Sequence, residues 1–112
     1  MNFSTVFQNF KSRSSGTDSF KQLKMECQQA LLAPASNTLD HSSLFLIYGF
    51  AKNYVLLYED EAVTSHFAQS AKQQLIDYMM ILDEALQEQN AQAILQALNS
   101  ISNQYMKSSR IF

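Results

Sequence analysis

Two histidines, one cysteine and a run of three acids are the residues of this chain best equipped for chemistry. His41 and His66 have the ring nitrogens for proton transfer or metal ligation, Cys27 is the one thiol nucleophile, and Glu59-Asp60-Glu61 offers paired carboxylates. Spacing removes each in turn. A di-iron bundle needs Glu-x-x-His pairs, yet Thr38 stands three residues before His41 and Val63 three before His66. One cysteine and two distant histidines make no zinc site. Cys27 falls on the apolar side of its segment, where a buried thiol is inert. Consecutive acids point in different directions, and helix capping accounts for the trio. Only Gly16 and Gly49 occur, so no glycine-rich phosphate loop is present. The expectation is a protein with no catalytic residues, no metal and no cofactor.

Small helical phosphotransfer domains resemble this chain in size and architecture. Their phosphorylated histidine is followed by Lys and Gly at the third and fourth positions. His66 is followed there by Gln69 and Ser70, and His41 by Leu44 and Phe45, so neither fits.

Composition then says what must position the remaining side chains. The chain has 112 residues, 46% hydrophobic and 12% aromatic, with a net charge of -2. That length suits one domain and buries about two-thirds of its unfolded surface, enough for a core without disulfides. Two glycines and one proline argue for long helices over many short strands. Charge is uneven: Lys11, Arg13, Lys21 and Lys24 face only Asp18 in the first 24 residues, while nine acids against Lys52 and Lys72 occupy 25–88. Four scattered cations fall short of a nucleic-acid stripe. With Cys27 alone and no basic-then-apolar leader in MNFSTVFQNFK, the expected setting is cytoplasmic.

Hydrophobic periodicity supplies the elements. Phe3, Val6, Phe7 and Phe10 recur at i, i+3, i+4 and i+7, a short amphipathic helix over 1–12. A flexible Ser/Gly loop over 12–19 follows, and then a helical core over 19–107 that begins with the stripe Phe20, Leu23, Cys27 and Leu31. Ser19 with Gln22 is the pattern of a capping box, and Pro34 ends that helix. The stretch ASNTLD holds several N-caps for a third helix from near Leu39. From there to Gln89 the apolar stripe shifts phase by roughly 130° at Glu59-Asp60-Glu61, more than supercoil drift allows. The chain is therefore expected to turn there, with Asp60 as the cap of a fourth helix. A fifth, capped near Asn90, carries Ile94, Ala97, Leu98, Ile101 and Tyr105 on one face, and 108–112 is a tail. The expected fold is a single all-α domain over 1–112: a small bundle of four to five helices, three long and one or two short, with up-and-down connectivity.

The apolar run SLFLIYGFAKNYVLLYEDE is the most telling segment. Lys52-Asn53 interrupts it too early for a membrane span. As a central core helix it has a wide inward arc, Leu44, Ile47, Phe50, Ala51, Tyr54, Val55, Leu57 and Tyr58. Its opposite face should be wet, yet holds Phe45 and Leu56. Phe45, Gly49, Lys52 and Leu56 are spaced as a helix–helix seam. Gly49 weakens a helix interior, which suggests a close backbone approach on that side. Ile76 and Met80 repeat the pattern on the polar side of the next helix. These six residues are the candidate interface, covered either by the first helix or the tail, or by a second copy or another protein. Tyr48, Tyr54, Tyr58, Tyr78 and Met79 are the candidate lining of a small-molecule pocket instead. The expected function is a homodimeric interaction or regulatory module, with a ligand-binding regulator as the alternative.

Overall fold

A computed structural model describes residues 1–33 and 39–112. Among them are five helices and no strand: α1 (Phe3–Ser12), α2 (Thr17–Leu32), α3 (His41–Tyr58), α4 (Ser65–Gln87) and α5 (Ala91–Lys107). The protein is an all-α bundle. Pro34 and the segment through Thr38 lie outside the described residues.

Each helix begins where a side chain or a change of backbone direction permits it. Asn2 Oδ1 accepts from the Thr5 amide at 2.9 Å and starts α1. Phe3, Val6, Phe7 and Phe10 are all buried along its inner side. α2 starts at Thr17, earlier than the expected capping box, with Gly16 as an N-cap that makes no side-chain bond. Ser19 is instead buried in the first turn, and its hydroxyl donates back to the Ser14 carbonyl at 2.6 Å, closing the loop. The turn after α3 falls at Glu59–Glu61 as the phase shift requires. Asp60 is not the cap, however, because the helix begins further on. Thr64 Oγ1 accepts from the Phe67 amide at 3.0 Å and starts α4. Asn90 Oδ1 accepts from the Ala93 amide at 2.8 Å and starts α5 as expected. Gln89, with φ at 55°, turns the chain between α4 and α5 in the left-handed region.

One hydrophobic core joins all five helices. α2 lies along α3, with Phe20 stacked on Tyr54 at 3.8 Å and the Lys21–Glu59 ion pair at one end. α1 lies against α2 and α4, and α5 against α4. Two charged side chains are buried among these helices for a reason local to α1. Asp40 caps the wrong helix: its carboxylate ignores α3 and accepts from the Phe3 amide at 2.9 Å. Lys72 donates to the carbonyls of Lys11 and Arg13, at and just past the other end of α1, and its ammonium sits 5.5 Å from the Phe10 ring.

The segment 108–112 is more than a tail. Phe112 is 2% exposed and sits among Phe50, Tyr54, Tyr78 and Tyr105, with ring centroids 5.4 to 6.4 Å away. It is part of the core.

Candidate functional site

The face of α3 away from this core carries the apolar anomaly. Phe45 is 62% exposed and Leu56 72%, and Lys52 between them is also exposed. Eleven residues at about 1.5 Å each separate Phe45 from Leu56, a stripe roughly 16 Å long. Neither in-chain cover reaches it, since α1 packs on α2 and α4 while Phe112 fills the aromatic core. Gly49 sits midway, and nothing lies within 4 Å of where its Cβ would stand. No packing among the described residues therefore calls for glycine there. Phe45 keeps one aromatic neighbour, Tyr48, at 6.3 Å.

Tertiary packing adds a residue that the sequence reading missed. Leu95 of α5 is 52% exposed and shares a hollow of about 220 Å³ with Leu39, Ser42 and Leu98. Ser42 is one turn before Phe45, so this hollow lies at the α3 end nearest Phe45 and sets Leu95 of a second helix beside it. The available signal was its place off the Ile94/Ala97/Ile101 stripe, but which helix it would adjoin is a matter of tertiary packing. Of the second expected patch, Ile76 is half-buried against the core and Met80 is exposed on α4.

Among the described residues the tyrosines border different hollows or none. Tyr54 and Met79 have no exposed surface, and Tyr78 has almost none. Tyr54 sits in a stack between Phe20 at 3.8 Å and Tyr58 at 4.9 Å. Its hydroxyl is buried with no hydrogen-bond partner among the described residues. Burial pushes the Tyr54 hydroxyl pKa up, opposed by the positive charge of Arg110 and reinforced by Tyr58. Tyr58 borders an open hollow of about 450 Å³ with Phe67 and with Leu57, which is exposed rather than inward as expected. Tyr78 borders a separate polar one of about 380 Å³, while half-buried Tyr48 lies beside Phe45.

The groups with chemical potential are dispersed. Burial, aided by the neighbouring Glu26 charge, pushes the Cys27 thiol up to about 12, so it holds its proton at neutral pH. His41 and His66 are exposed on different helices. Glu59 is tied to Lys21, whose pKa that bond raises. Among the described residues no three His, Cys, Asp or Glu gather to hold a metal. Among them, too, no helix is long and apolar enough to cross a membrane. Compared with protein-family models, curated proteins and solved structures, the chain matches none.

Proposed function

We propose that this protein is a non-catalytic interaction module whose binding face is the α3 stripe, and that a second copy is its first partner. The exposure of Phe45 and Leu56 on either side of an unpacked Gly49 carries the reading. Phe45 and Leu56 share one face of α3 with Gly49 and Lys52 between them, and apolar side chains gathered on one exposed face mark interaction surfaces more than scattered ones do. The stripe is also self-complementary. Two copies of α3 crossing about a two-fold axis midway between Gly49 and Lys52 set Phe45 against Leu56 and Gly49 against Lys52. Each glycine then receives the apolar stem of a lysine whose ammonium reaches water.

Magnitudes decide how large the face must be. Burying the exposed parts of four such side chains contributes roughly 4–8 kcal/mol at about 1–2 kcal/mol each. Association costs at least about 4 kcal/mol, so the stripe alone gives weak pairing. A tight dimer recruits Leu95 as well. A cytoplasmic setting goes with this reading, supported by the single buried cysteine.

A second reading, a small-molecule regulator, draws on the hollow of about 450 Å³ beside Tyr58 and Phe67, which is ligand-sized. Light scattering after size exclusion, at two concentrations tenfold apart, separates the readings. A mass twice 12.7 kDa that Phe45→Glu or Leu56→Glu returns to 12.7 kDa supports the dimer. A mass of 12.7 kDa throughout, or a dimer indifferent to both substitutions, sinks it.

A further inference from the structure

Segment 108–112 lies on the bundle in the manner of a bound peptide. It leaves the helix at Ser108, whose ψ is 146°, bends at Ser109 and runs on without regular secondary structure. Alternate residues point inward. Ser108 accepts from Gln74 Nε2 at 3.0 Å, Arg110 reaches into α4, and Phe112 is buried, whereas Ser109 and Ile111 are exposed. Arg110 and Phe112, two residues apart, thus carry the contacts, as alternate side chains of a docked segment do when pockets read them.

Its anchors are side chains throughout. Arg110 Nη2 donates to Ser70 Oγ at 2.8 Å and Nε to Gln74 Oε1 at 3.0 Å, with the guanidinium 4.9 Å from the Phe67 ring. Gln74 is itself fixed by its bond to the Tyr78 hydroxyl at 2.8 Å. The Phe112 amide donates to the Tyr105 hydroxyl at 3.2 Å, and the Arg110 amide to Ser108 Oγ at 3.1 Å. Past the Ser108–Tyr105 bond, no backbone–backbone hydrogen bond holds the segment among the described residues. The slot thus recognises two features: a guanidinium laid over Phe67 and an aromatic ring two residues later, among Phe50, Tyr54, Tyr78 and Tyr105.

We propose that this slot is a peptide-binding site for a segment of the form Arg-x-Phe, and that Ser108–Phe112 is its built-in occupant, displaced when an incoming segment binds. The proposal is independent of the α3 stripe, because Phe45 and Leu56 take no part in the slot. Arg110 donates its two side-chain hydrogen bonds to neutral acceptors, so a competitor does not have to break an ion pair there. The built-in segment competes at an effective concentration on the order of millimolar, which sets the threshold an incoming peptide must exceed.

The test uses the full chain with Arg110→Ala and Phe112→Ala combined, which removes both built-in anchors from the slot, and a fluorescein-labelled peptide reproducing residues 107–112, followed by anisotropy. The variant is expected to bind this peptide at least about tenfold tighter than the native chain does, because it lacks the tethered competitor. Peptides carrying Arg110→Ala or Phe112→Ala are expected to lose about tenfold each, the factor of one lost anchor. If the variant keeps native helicity and binds the original and Phe112→Ala peptides equally, the site does not exist. Should the variant be unfolded alone, recovery of helicity on adding the original peptide, but not the Phe112→Ala peptide, supports the site. No recovery at millimolar peptide overturns it.

Discussion

Asp40 and Lys72 grip opposite ends of the same helix. The carboxylate accepts from the Phe3 amide at the first turn of α1, and the ammonium donates to the Lys11 and Arg13 carbonyls at and just beyond the last turn. Each charge matches the sign that the helix macrodipole favours at that end. α1 has only ten residues, too few to hold itself together in water. Its persistence therefore depends on two side chains contributed from elsewhere in the chain and on its four buried apolar residues.

Removing the carboxylate tests the clamp. Asp40→Ala leaves the Phe3 amide without its acceptor and is expected to cost about 1–2 kcal/mol, as for a lost N-cap. Hydrogen exchange should quicken in α1 before it does in α3. Uniform acceleration across both helices would show that Asp40 supports the whole bundle rather than this one helix.

Tyr54 offers the opposite sign. Its hydroxyl is buried and unpartnered among the described residues, a penalty of about 1–3 kcal/mol that phenylalanine does not incur. Tyr54→Phe is expected to raise the denaturation midpoint by about 1 kcal/mol of stability with the slope unchanged. A loss of stability would reveal a partner for that hydroxyl.

Alkaline pH should weaken the fold through Cys27. Its folded pKa is about 12 against an ordinary 9.0, so the fold favours the protonated thiol. That contribution is complete below pH 9 and is lost as pH rises from there towards about 12, at up to about 1.4 kcal/mol per pH unit. Lys72 works the other way. Burial lowers its pKa, so its contribution improves as pH rises through the folded value towards 10.5. Melts of the native chain and of Cys27→Ala between pH 8 and about 11 isolate the thiol, since Lys72 is common to both. Parallel curves would mean that Cys27 does not titrate with unfolding.

At the α4–α5 turn, Gln89 holds a φ of 55°, where a Cβ costs about 1–2 kcal/mol. Gln89→Gly relieves that and gives back about 0.5–1 kcal/mol in backbone entropy. A net gain of several tenths of a kcal/mol, seen as a Tm rise of a few degrees, is expected. An unchanged or lower Tm would place the entropy cost above the strain.

The helices were legible because their signals are local. The phase shift at Glu59–Glu61 separated α3 from α4 without any long-range information, and Asn90 marked α5 by its side chain alone. The failures share a cause. Asp60, Asp40 and Ser19 are all good capping residues, and nothing local says that Thr64 outcompetes the first, or that Phe3 and Ser14 claim the others. At the candidate surface, the stripe on α3 was readable from one helix, while Leu95 needed a neighbour to give it meaning. Phe112 was least legible, because five residues have no period to read.

The burial of Phe112 also bears on the order in which the protein is made. Synthesis delivers about 5–20 residues per second from the first residue onward, so α1 to α4 exist before their central aromatic filling does. Phe112 follows all five helices in the chain, so Phe50, Tyr54 and Tyr78 are synthesised well before the ring that packs among them. For that interval the nascent bundle lacks the ring that completes its core, and other hydrophobic segments can compete for the place.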